Sequence, residues 1–172
     1  MKAGLAAYVL AELDRRGETL ATAESLTGGM VAQLLTDVPG ASASYLGGVI
    51  SYATRLKATL AGVNAATLAE LGPVAARTAA EMAWGVAQRC DADWGVSTTG
   101  VAGPDPQDSH PVGQVYVAVS HQASDVLRVE ELSLRGERAA IRRKAAMAAL
   151  ALLADSLGFK NASLDVSDAT EP

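Results

Sequence analysis

The sequence predicts an α/β protein built as a three-layer α/β/α sandwich, with helices on both faces of a mixed β-sheet. Three observations carry that expectation. Strand-like runs alternate with stretches of helical spacing through the first hundred or so residues, the pattern of parallel strands joined by helical crossovers. Two later strand-like runs, residues 112–120 and 126–134, are separated only by a polar turn at 121–125, and so short a connection requires antiparallel pairing. The chain is also Ala-rich with a single Phe in 172 residues, which suits helices packed closely on a sheet through small side chains.

Taken in order, residues 3–16 place Leu5, Tyr8, Val9, Leu10 and Leu13 on one helical stripe, closed by Arg15, Arg16 and Gly17 as a basic last turn and C-cap. A strand is expected near 19–23 and a helix near 27–37, followed by a turn at Val38, Pro39 and Gly40. Residues 45–52 read as a strand in which Gly47 and Gly48 mark a weak point or a bulge. Helical spacing returns at Leu56, Leu60 and Val63, with a short helix near 65–71 and a longer one over 75–90 in which Trp84 is expected to face the core. Residues 94–99 form a strand, the hairpin follows, and a helix from 137 to 157 closes the fold. The tail, residues 160–172, is rich in Ser, Asp, Thr, Glu and Pro and is expected to stay disordered or loosely attached, leaving residues 1–159 as a single domain.

Composition narrows the function. A chain of this length buries roughly 70% of the surface its unfolded form exposes, so it needs neither disulfides nor a structural metal. Cys90 is the sole cysteine and reads as an inert, buried thiol in a reducing compartment. A net charge of −5 argues against general binding of nucleic acid. No secretory leader and no 18-residue apolar run are visible, so a cytoplasmic protein that binds no membrane is expected. Apolar Ala-rich helices make a homo-oligomer the expected state.

Four segments could carry chemistry. The first is Thr22 to Gly29, where strand gives way to helix: the hydroxyls of Ser25 and Thr27 and the N–H groups of Gly28, Gly29 and the first helical turn could hold an anion or an oxyanion. Ser25 or Thr27 could equally be a plain N-cap. The second, Ser51 to Lys57, lies at another strand end. Lys57 is either a solvated side chain or, if burial lowers its pKa, a base for a serine. The third runs from Ser97 to Gly113, a strand end entering a long loop where Thr99, Gly100 and Gly103 could approach a ligand. Asp105, Asp108 and His110 in that loop lack a metal-ligand spacing, so no metal and no other cofactor is expected. The fourth is Arg135 to Lys144, where Arg138 and Arg142 share a face at the start of a helix whose dipole they oppose. An anionic ligand such as a phosphate would explain them, and so would surface pairing with Glu130, Glu131 and Glu137.

Together these segments resemble the CinA C-terminal domain family, which includes the nicotinamide-nucleotide amidohydrolases. The resemblance rests on AESLTGG at 23–29, Ser51 and Tyr52 with Lys57, STTGVAGP at 97–104, PVG at 111–113, and Gly136, Glu137 and Arg138 with Arg142 and Arg143, and it covers roughly residues 5–157. It implies an α/β/α domain that converts nicotinamide mononucleotide to nicotinic acid mononucleotide and ammonia, without metal, in bacterial pyridine-nucleotide salvage. By that likeness Ser25 is the nucleophile, with Lys57 helped by Tyr52 as its proton acceptor. Arg138, Arg142 and the glycine turns would hold the 5′-phosphate. The chain departs from the family pattern at Asp105-Pro106-Gln107, where relatives commonly continue the Gly-Pro dipeptide with a residue and two glycines, and at Thr54, often Asn in relatives. Many relatives also carry an N-terminal pyrophosphatase-type domain, whereas this chain begins directly with the C-terminal type. Two further readings stand beside the amidohydrolase: a non-catalytic nucleotide-binding or interaction module, and a serine hydrolase for an unrelated small amide or ester.

Overall fold

Side-chain alternation along the first strand sets the layering. In the computed structural model, which describes residues 2–159, strand β1 (Leu20–Glu24) is buried along its whole length. Leu20 joins a core made with Leu5, Val9 and Leu13 of helix α1 (Lys2–Arg16) and with Leu150 and Leu153 of helix α6 (Arg138–Ser156), while Ala21 and Ala23 turn the other way. Those alanines pack with Met82 and Val86 of helix α5 (Ala76–Cys90). Helices α1, α6 and α2 (Met30–Thr36) therefore cover one face and α5 the other, as the three-layer expectation requires.

The sheet has five strands in the order β2-β1-β3-β4-β5. β1 runs parallel to both β2 (Tyr45–Ile50) and β3 (Trp94–Gly100), and the antiparallel strands β4 (Gln114–His121) and β5 (Leu127–Ser133) complete it as the expected hairpin. Short helices α3 (Thr54–Thr59) and α4 (Ala65–Leu71) lie between β2 and α5. The chain leaves β1 for β2 on one side and then returns past it to β3 on the other. Such a divergence opens a crevice beyond the carboxyl ends of the strands. Register fixes which residues meet there, since Glu24 pairs with Ile50 on one side and Thr98 on the other. Between Leu20 and Ala21 the β2 partner jumps from Tyr45 to Gly47, so the irregularity expected at the glycine pair falls at this end of the strand.

The closeness of α5 explains the composition of β3. On the α5 side, Ser97 Oγ donates to Ala79 O at 2.6 Å and Thr99 Oγ1 donates to Pro73 O at 2.6 Å. A Cβ on Gly95 would lie 1.9 Å from Ala83 O. Gly95→Ala is therefore expected to push α5 off the sheet and lower stability by about 3 kcal/mol in urea unfolding. Gly4→Ala in α1, where a Cβ meets nothing, should instead be neutral or stabilising by up to about 1 kcal/mol.

Trp84 does not face the core. The stripe of α5 turned to the sheet is Ala79, Met82, Ala83, Val86 and Ala87, at three-and-four spacing, and position 84 falls outside it, leaving Trp84 40% exposed. The buried indole is Trp94 on β3. Cys90 is only partly buried, and burial pushes its thiol pKa up. Among the described residues no helix is long and apolar enough to cross a membrane. The tail expected at 160–172 lies outside the described residues.

Candidate active site

Ser25 follows β1 directly, and its N–H still reaches Thr98 O at 3.0 Å, extending the ladder with β3 by one residue. The chain then turns sharply, with Gly28 N donating to Ser25 O at 3.1 Å and both Gly28 and Gly29 at positive φ (59° and 100°). A β-carbon would strain either position, which accounts for the glycine pair.

The donors that open α2 are not available to a ligand. The Glu24 carboxylate, 1% exposed, accepts from the N–H of Gly29 at 2.9 Å, Val31 at 3.0 Å and Ala32 at 2.8 Å. The helix start expected to hold an anion or an oxyanion is occupied by the protein's own carboxylate. Thr27 is also spent, its hydroxyl bonded to Thr98 Oγ1 at 2.7 Å in the interior. Thr27, Gly28 and Gly29 shape the turn and do not line the cavity beyond it. Ser25 does: it is 8% exposed, and its Oγ makes no hydrogen bond among the described residues.

That cavity, partly open to solvent, also takes in Leu26, Tyr52, Thr54, Lys57 and Arg138, together with Thr99, Gly100 and Gly103 from the end of β3 and its loop. Lys57 sits in the last turn of α3 and is 2% exposed. Among the described residues its ammonium has one partner, Ser51 O at 3.3 Å, and burial lowers its pKa from 10.5 to about 8. Tyr52 is 58% exposed, and its hydroxyl accepts from Arg138 Nη2 at 2.7 Å while Arg138 Nη1 donates to Gly103 O at 2.6 Å. The tyrosine thus engages the arginine rather than Ser25 or Lys57.

Arg142 departs from expectation. It does not line the cavity, because its Nε donates to Leu26 O and its Nη2 to Thr27 O, both at 2.9 Å. Neither arginine pairs with Glu130, Glu131 or Glu137 among the described residues; Glu131 accepts from Gln114 and Glu130 lies near Arg128. In the loop, Asp105 and Gln107 border the cavity, whereas His110 Nδ1 is bonded to Gln114 Oε1 at 2.8 Å. Asp105 and Gln107 stand out in the sequence as departures from the family pattern, whereas Glu24 does not stand out there at all. An acidic residue placed just before a helix start was the signal available for Glu24.

The family model described as the CinA C-terminal domain matches residues 2–157. A CinA-like protein of Frankia casuarinae is 47% identical over 161 residues, which are 93% of this chain and 37% of that protein. A putative competence-damage inducible protein of Halothermothrix orenii is 46% identical over 127 residues, 73% of this chain and 30% of that one. The chain thus spans about a third of the length of these curated relatives. Among solved structures, the competence/damage inducible protein CihA of Agrobacterium tumefaciens superposes with a TM-score of 0.85 at 32% identity, covering 91% of this chain and 94% of that one. A CinA superfamily protein of Klebsiella pneumoniae gives 0.86 at 30% identity, with 91% and 98% covered.

Proposed function

Because the chain belongs to the CinA C-terminal domain family, we propose that it is an amidohydrolase that deamidates nicotinamide mononucleotide to nicotinic acid mononucleotide in pyridine-nucleotide salvage. One observation carries the reading: a serine hydroxyl with no hydrogen bond, a desolvated lysine and a guanidinium face the same cavity. Ser25 Oγ attacks the carboxamide carbon as the neutral amine of Lys57 takes the hydroxyl proton. The tetrahedral intermediate collapses when that proton passes to the amide nitrogen, and ammonia leaves. Water, deprotonated by Lys57, then attacks the acyl-enzyme and releases the carboxylate. No step calls on a metal or cofactor. Ser25 and Lys57 are not hydrogen-bonded to each other among the described residues; contacts of this kind commonly tighten when substrate arrives.

Arg138 stands at the mouth with two of its five N–H groups committed, leaving donors for a 5′-phosphate, and Tyr52 and Gly103 hold it there. Gly100 and Gly103 border the same cavity, and their missing side chains make room for Gln114, Val115 and Val112. Binding at the phosphate then positions the amide at Ser25.

Ammonia release from nicotinamide mononucleotide tests the proposal. Turnover by the parent protein is expected, and binding without turnover would favour the nucleotide-binding module instead. Arg138→Gln is expected to raise KM for the mononucleotide by roughly 10- to 100-fold, the worth of a charge-assisted contact, and KM for the dephosphorylated nucleoside by less than about threefold. Equal effects on both substrates would remove the phosphate from Arg138.

A further inference from the structure

The contacts of Arg142 form a chain that ends at the nucleophile. Its Nη2 donates to Thr27 O, and the N–H of that same peptide unit, Gly28 N, donates to Ser25 O at 3.1 Å. The peptide unit that holds Ser25 O carries the N–H of Leu26. Leu26 lines the cavity next to Ser25, and its N–H meets no acceptor among the described residues. Each hydrogen bond polarises the next, so a guanidinium at the far end strengthens the donor at the near end. Arg142 Nε, on Leu26 O, holds the following peptide unit in the same setting. Glu24 takes the N–H groups of Gly29, Val31 and Ala32. The turn is thereby gripped by a cation on its carbonyls and an anion on its amides, with the Leu26 N–H left over.

We propose that Arg142 is a positioning residue for catalysis, orienting and polarising the Ser25 turn so that the Leu26 N–H receives the oxyanion formed when Ser25 attacks. The N–H of the residue following a nucleophile is well placed for that role, because it moves with the nucleophile. The assignment replaces the phosphate contact expected of Arg142 from its place on the helix. It also explains why a cation tolerates the first turns of α6: the cation is held by carbonyls of another segment. The inference rests on Ser25 being the nucleophile but not on which amide it attacks.

The test therefore uses a probe independent of the substrate. A fluorophosphonate phosphonylates an activated serine, forming the O–P bond at Ser25 Oγ with loss of fluoride, and its labelling rate reads both the nucleophile and its oxyanion donor. Arg142→Gln is expected to slow labelling by about 30- to 100-fold, somewhat less than deleting an oxyanion donor outright. It should lower kcat for the mononucleotide and the nucleoside by a similar factor with KM within about threefold. Arg142→Lys keeps the charge but reaches only one carbonyl, so it should recover part of the loss. If Arg142→Gln does not fold, Arg142→Lys is read in its place, with a slowing of about 10-fold expected. Labelling of the folded variant within threefold of the parent overturns the proposal, as does a KM defect confined to the phosphorylated substrate. A parent that labels at Ser25 yet releases no ammonia from nicotinamide mononucleotide refutes the substrate and leaves Arg142 in its role. A parent that does not label at Ser25 overturns both.

Discussion

Ser25→Ala and Lys57→Met are each expected to lower kcat for ammonia release by at least about 1,000-fold, and the double variant to be at most about threefold slower than the poorer single one. In the proposed mechanism the two side chains act in one step: without the hydroxyl there is nothing to deprotonate, and without the amine the hydroxyl stays a poor nucleophile. Their losses therefore overlap instead of multiplying. Both variants should still bind the mononucleotide, because Arg138 and the β3 loop border the cavity separately from either residue. Isothermal titration of Ser25→Ala with nicotinamide mononucleotide checks that. Activity near the parent level in Ser25→Ala would leave Ser25 as a turn residue and remove the nucleophile; activity retained in Lys57→Met alone would move the proton to a water or to Tyr52.

What the sequence made legible follows from short-range physics. Three-and-four spacing placed the helices, and the short polar turn forced the hairpin. The strand ends at Ser25, Tyr52 and Gly100 could be expected to meet because parallel strands bring their carboxyl ends to one edge of a sheet. What stayed hidden depends on partners far apart in the chain. Arg142 reaches carbonyls 115 and 116 residues away, and nothing local distinguishes a guanidinium aimed at backbone from one aimed at a phosphate. The sequence did flag an anomaly, cations where a helix dipole disfavours them, and its cause was through-space contact with backbone carbonyls and a tyrosine. Glu24 was obscured because the helix starts at Met30 and not near residue 27, so the carboxylate that accepts from the N–H groups at its start lies 5 to 8 residues before them, on the far side of the serine. Trp84 misled because aromatic size suggests burial, whereas α5 approaches the sheet too closely for an indole and uses alanines there.

Lys57→Met is expected to be inactive and yet more stable than the parent at neutral pH. The ammonium is held at 2% exposure with a single carbonyl partner among the described residues, and burial alone brings its pKa from 10.5 to about 8. The folded pKa lies below the unfolded one, so between pH 8 and 10.5 the unfolded chain binds the extra proton and stability contributed by this site rises with pH. Below pH 8 both states are protonated and the full cost of burying the charge is present, on the order of 3 kcal/mol for a gap of about 2.5 pH units. Methionine fills a similar volume without charge. Urea unfolding of parent and variant should therefore differ by about 2–3 kcal/mol in favour of Lys57→Met at pH 7, with the gap closing toward pH 10.5; the remaining titrating groups are common to both and cancel. The same depression shapes turnover. At pH 7 only about a tenth of Lys57 is neutral, so the parent kcat should climb with a midpoint near pH 8, where half of it can accept the serine proton. A stability difference that does not change between pH 7 and 10.5 would mean that Lys57 is not the buried cation described, and a flat rate profile across pH 7–9 would assign the proton to another group.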